Sequence, residues 1–315
     1  MDSLTHFEKR LEKWTRKAFS RNPVLSDKMG LTARGIGKTT DLFLATWMGR
    51  VGIIIIVFFM AIAAYADLFI HYDKYENDPD QLLEDASLEH LFGTDQMGRD
   101  VLTRVAMGTK ASLIVGFAAM AISMGLGTLV GLVSGYWGGW KDEVIMRVND
   151  MFLSIPWLVL MLVLAAILNA RSLWAVILVI GITGWSTTAR IVRAQVLTLK
   201  ERQFVERAKA IGSGDLHIIK KHIFPNVVPL VFANAILTIA ICILSEATLS
   251  FLKMGPKDVE TWGKILDEAY EQGAALSGPY PFIVMPGLCI VFVVLGFTFV
   301  GYAMDEVLNP KLRRR

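Results

Sequence analysis

Charge is what this sequence has least of. Only 19% of its 315 residues are Asp, Glu, Lys or Arg, while 54% are hydrophobic; a soluble globular domain carries about a quarter charged residues. That balance excludes an ordinary soluble fold. Cysteine is scarce too. Cys242 and Cys289 stand singly inside apolar runs with no CxxC spacing, which excludes a disulfide framework and a thiolate metal site. The five histidines (6, 71, 90, 217 and 222) are scattered, so no cluster suits metal-assisted or acid–base catalysis. His217 and His222, five residues apart, are expected on different faces of a helix. The formal net charge of +3 is too small to mark a nucleic-acid binder. One glycine is also missing. Residues 35–40 read "GIGKTT", the close of a phosphate-binding loop, but Thr32 stands where that loop needs its first glycine and no buried strand precedes it. The stretch is expected to be a flexible basic linker.

What the sequence has in abundance is long apolar runs. Those at roughly 49–70, 111–136, 152–169, 172–190, 227–250 and 282–304 predict an all-α membrane protein with six transmembrane helices, since about 20 apolar residues cross a ~30 Å hydrocarbon core. Segment 190–226 is rich in Lys and Arg, as are the first fifty residues and the closing "PKLRRR". Segments 71–100 and 251–281 are acidic. Basic segments are retained on the cytoplasmic side, so both termini and 190–226 are expected in the cytoplasm. The roughly fifty residues before the first run, rich in Lys and Arg, are too long for the n-region of a cleavable signal peptide. Within them Leu4, Phe7, Leu11, Trp14 and Ala18 recur at helical spacing among lysines and arginines. That pattern predicts an amphipathic helix on the membrane surface or on a partner protein.

Three features stand out inside this frame. Ala119, Ser123, Gly127, Gly131 and Gly135 fall four apart in the second run, a small-residue stripe that lets another helix approach closely. Glu246, in "ICILSEATLSF", is an ionisable group near the outer end of the fifth run; it marks a translocation path or a structural contact. The third feature is the 203–225 stretch, "QFVERAKAIGSGDLHIIKKHIFP". Phe204, Ala208 and Ile211 give one apolar face, Gly212-Ser213-Gly214 breaks the helix, and Asp215 is placed to cap a second helix. Leu216, Ile219 and Ile223 give that helix its own apolar face, and Pro225 ends it. No internal repeat or interrupted helix of the kind secondary transporters use is evident.

This stretch resembles the cytoplasmic loop of the permease subunits of ATP-binding-cassette importers, whose pattern is E-A-A-x-x-x-G followed by a short apolar stretch ending in proline. Glu206, Ala208, Gly212 and Pro225 occupy those places, with Arg207 replacing the middle alanine. "HLFGTDQMGRDVLTRV" at 90–105, "SGYWGGWKDEVIMRVND" at 134–150, "EATLSFL" at 246–252 and "NPKLR" at 309–313 are similar to the second permease of the oligopeptide/dipeptide group. The resemblance implies a type I importer permease fold: a cytoplasmic segment at 1–48, a transmembrane domain at 49–304 and a tail at 305–315. Within that domain, 71–110 would be an extracytoplasmic loop and 190–226 a coupling loop. It implies a prokaryotic plasma-membrane location and a heterodimer with another permease. It further implies two ATPase subunits that hold ATP and Mg²⁺, no cofactor on this chain, and an extracytoplasmic binding protein that delivers peptides. Similar systems carry nickel or oligosaccharides. Coupling to the ATPase would fall to Phe204, Glu206, Arg207, Ala208, Gly212, Asp215, Leu216, Ile219 and Pro225. Lys253 stands where the family usually has glycine.

Overall fold

A computed structural model describes residues 40–69, 78, 80–274 and 280–308 of the protein. The basic amphipathic segment, residues 35–39 of "GIGKTT" and the "NPKLR" tail lie outside the described residues. In chain order the helices are α1 (Trp47–Phe69), α2 (Val101–Trp137), α3 (Gly139–Ser154), α4 (Trp157–Ile167), α5 (Leu173–Thr183) and α6 (Trp185–Lys200). They continue with α7 (Gln203–Ala210), α8 (Asp215–Ile218), α9 (Phe224–Phe251), α10 (Trp262–Glu271) and α11 (Tyr280–Leu308). Among the described residues the only strand-like pairing is a bridge between Thr94 and Asp100.

Among the described residues five helical stretches are long and apolar enough to cross a membrane: α1, α2, α5 with α6, α8 through α9, and α11. The third expected span differs. Instead of one helix over 152–169, α3 and α4 form a pair bent by 93°. Pro156 has no N–H to donate, and Ile155 before it is extended at ψ 131°, which stops α3. The 11-residue α4 is only about 16 Å long. A second interruption at Gly184 separates α5 from α6. The expectation of uninterrupted helices is therefore corrected twice.

The second span starts ten residues before the expected 111, because Asp100 caps α2 and accepts the Thr103 N–H at 2.8 Å. The small-residue stripe faces α5 and α6. A Cβ added at Gly127, Gly131 or Gly135 would come within 2.6–2.8 Å of Thr188, the Ala189 carbonyl and Val192, or Val196. Ala119 and Ser123 extend the same contact to Gly181 and Gly184. Close backbone approach is thus built into α2, and apolar packing continues from there to both ends of the bundle.

Candidate functional site

The loop joining α6 to α9 is held by its buried side chains and presents the remainder outward. Val205 and Ala208 on α7 are buried with Ile218, Ile219 and Ile223, in a cluster with Leu132, Tyr136 and Val196 at the ends of α2 and α6. This corrects the expected α7 face. Phe204 is 39% exposed and Ile211 83% exposed. On the second helix Leu216 is 64% exposed, whereas Ile219 and Ile223 are buried; Ile219, expected like Ala208 at the ATPase contact, instead anchors the loop in the core cluster. Glu206, Arg207 and Lys209 are exposed beside them. The result is a tip with unpartnered apolar groups and mixed charge.

Two local devices set the shape of that tip. Gly212 takes φ +81° with no neighbour within 4 Å of a Cβ placed there, so glycine is required by the left-handed turn and not by crowding. The Gly212 N–H donates to the Lys209 carbonyl at 2.9 Å, and the Ser213 N–H to that of Ala208 at 3.0 Å, which closes α7. Asp215 does not cap α8; Gly214 holds the N-cap position without a side-chain bond. Asp215 instead accepts the Tyr136 hydroxyl at 2.8 Å, tying the loop to α2. Pro225 does not end the helix either. A π-helical turn at Ile219–Ile223 carries α8 into α9, and its wider bore accommodates the proline ring that would clash in an α-helix. The same turn overrides the expectation for the histidines: residues five apart come into register, and the His217 and His222 rings lie 6.0 Å apart. Among the described residues no group of three or more His, Cys, Asp or Glu is arranged to hold a metal.

The opposite end carries a charge cluster that the sequence reading did not single out. Arg104, near the start of α2, is fully buried. It donates to Asp95 at 2.8 Å, Glu260 at 2.7 Å and Glu268 at 2.6 Å. Arg99 also reaches Asp95 and Glu268, and Lys264 pairs with Glu260 at 3.0 Å. Burial alone would push the Glu260 carboxyl up; the Arg104 and Lys264 charges override it and hold it down at about 2. The cluster clamps the 80–100 segment and α10 onto α2. Its available signal was the run of spaced charges in "GTDQMGRDVLTR", whose last four residues open α2. Glu246 is also fully buried, accepting from Ser250 at 2.6 Å and Ser112 at 3.3 Å. That clasp between α2 and α9 supports the structural alternative for this residue. Lys253 has φ +63°, the left-handed geometry for which the resembled family uses glycine, and its ammonium pairs with Glu271.

Residues 127–314 match the family model described as binding-protein-dependent transport system inner membrane component. The chain is 37% identical over 264 residues to the dipeptide transport system permease protein DppC of Alkalihalophilus pseudofirmus, covering 84% of this chain and 86% of that one. It is 34% identical over 274 residues to the oligopeptide transport system permease protein OppC of Bacillus subtilis, covering 86% and 88%. It is 32% identical over 305 residues to the glutathione transport system permease protein GsiD of Pectobacterium atrosepticum, covering 95% and 99%. A chain of the MetNI methionine ABC transporter, solved in inward-facing conformations, superposes with a TM-score of 0.53 at 19% identity. The match covers 66% of this chain and 96% of that one, and it shows a shared fold. This multi-pass membrane chain belongs to the binding-protein-dependent transport system inner membrane component family.

Proposed function

We propose that the chain is one of two permeases of a peptide importer, and that the 203–225 loop couples it to an ATPase subunit. The observation that carries this reading is the loop tip: Phe204, Ile211 and Leu216 project from a backbone anchored by Val205, Ala208, Ile218 and the Tyr136–Asp215 hydrogen bond. Exposed apolar groups on a rigid support suit a protein cleft. The basic character of 190–226 supports a cytoplasmic tip, with the Arg104 cluster on the outer side, where a substrate-binding protein would dock. ATP and Mg²⁺ belong to the ATPase subunits, and closure of that pair would swing α8–α9 as a lever between two gate states. Peptide as substrate rests on the dipeptide and oligopeptide names of the relatives. The test is a cysteine at Leu216, on a background lacking Cys242 and Cys289, in the assembled complex. It is expected to crosslink to an ATPase subunit, and purified complex should accumulate dipeptides or oligopeptides in vesicles upon ATP hydrolysis. Accumulation of nickel or an oligosaccharide instead would overturn the substrate. A Leu216 cysteine that reacts with no ATPase subunit would overturn the coupling role.

A further inference from the structure

The two helix interruptions meet at one cavity. The bend at Ile155–Pro156 and the break at Gly184 both border a space of about 330 Å³ that Asn234 and Thr238 of α9 close from the other side. Gly184 separates α5 from α6 within one 28-residue span, and Asn234 and Thr238 lie near the middle of α9. The cavity therefore sits at mid-height in the spans. Its polar lining is mainly hydroxyl and amide, Ser123, Ser186, Thr187, Thr188, Asn234 and Thr238 among them, with the Cys242 thiol and the Trp157 indole beside these and no charged residue or histidine among the lining residues.

Polar groups at that depth are costly unless they have partners, and several here are poorly served. The Ser123 and Ser186 hydroxyls, on residues 0% and 3% exposed, have no hydrogen-bond partner. The Asn234 amide reaches the Thr188 hydroxyl only at 3.5 Å and a thioether, Met124 Sδ, at 3.7 Å. By contrast Thr183 is fully engaged, donating to backbone and accepting the Trp157 indole N–H at 3.2 Å. Gly184 leaves the room: a Cβ there would stand 2.9 Å from Ser123 Oγ.

We propose that this cavity is a substrate station in the path, recognising the main-chain amides of a passing peptide. The inference rests on the peptide-import reading above. Each hydroxyl and the Asn234 amide can donate and accept, which matches the alternating N–H and C=O groups of an extended peptide. A lining without charge holds peptides of different side chains about equally and releases them, as a transit site must. A nickel ion would find one soft ligand there, the Cys242 thiol, and no histidine or carboxylate among the lining residues.

The test introduces charge. In the complete complex, Asn234→Asp is compared with wild type for transport of two peptides that differ only by Lys or Glu at one position. A carboxylate in this desolvated site should raise the Lys-to-Glu transport ratio about tenfold, with affinity of the binding protein unchanged. Thr187→Asp, at an exposed lining position, repeats the measurement where Asn234→Asp does not assemble. An unchanged ratio, or an equal loss for both peptides, overturns the assignment. Should the wild-type complex carry oligosaccharides instead, amino-sugar and uronic-acid oligomers replace the two peptides. The substrate reading then fails on its own, while the cavity is still tested.

Discussion

Replacing Arg104 with methionine keeps an unbranched, though shorter, side chain and removes a cation that touches three carboxylates. Its partners are not all stranded. Asp95 retains Arg99 and the backbone N–H groups of Met97 and Arg99, Glu260 retains Lys264, and the Glu268 side chain is 25% exposed. Breaking a buried pair costs about 3–5 kcal/mol, and these residual partners place the loss near the lower figure. The depressed Glu260 carboxyl gives the same magnitude: moved from 4.5 to about 2, it corresponds to about 3 kcal/mol. Because its folded value lies below the unfolded one, this stabilisation is full above pH ~4.5 and is lost as pH falls toward 2. Thermal unfolding of the detergent-solubilised chain at pH 7 should show Arg104→Met melting about 5–10 °C below wild type. Arg104→Lys should fall between, since an ammonium lacks the planar fork that reaches several acids at once. The variant should also lose less stability than wild type on acidification from pH ~4.5 toward 2, because its Glu260 carboxyl is less depressed. A melting point within about 1 °C of wild type would refute the clamp.

Three other outcomes follow from the packing and the topology. Gly131→Leu would drive a side chain against the Ala189 carbonyl at 2.7 Å, a backbone atom that cannot swing aside. The overpacking costs about 1–3 kcal/mol and should cut the yield of assembled complex, while Gly125→Leu, with nothing within 4 Å, should not. Lys253→Gly should raise the melting temperature by relieving a left-handed backbone, and Lys253→Val should lower it; the reverse order would contradict the φ argument. A cysteine at Asp80 should react with an impermeant reagent in intact cells, and one at Lys209 only after permeabilisation. The opposite pattern would invert the proposed orientation.

Hydropathy made most spans legible because uninterrupted apolar runs are a strong signal, and four-residue spacing of small side chains pointed correctly to a close helix contact on α2. Ends and bends were harder. The start of α2 was missed because Arg104 and Asp100 depress hydropathy, although a buried network neutralises the first and capping explains the second. The third span was drawn straight through Pro156, whose missing N–H and effect on Ile155 decide the bend. In the 203–225 loop the glycine turn was legible from composition. Which apolar residues turn inward was not. The choice of Val205 over Phe204, and of Ile218 over Leu216, depends on how α7 and α8 meet α2 and α6. The π turn depends on tertiary context too, and it altered both the role of Pro225 and the spacing of the histidines.

The most direct test of the central claim, that the 203–225 loop transmits the ATPase cycle to the spans, is transport by Gly212→Val in the complete complex. At φ +81° in open space, the β-branched residue meets backbone strain alone, about 1–2 kcal/mol, enough to reshape the turn and too little to unfold the bundle. Gly214→Ala is the control, since Gly214 has φ −69° and free space around it. The account predicts that Gly212→Val assembles in the membrane yet loses at least about tenfold in substrate transport per ATP hydrolysed, a gap of about 1.4 kcal/mol or more in coupling, while Gly214→Ala transports normally. Wild-type transport per ATP by Gly212→Val would contradict it.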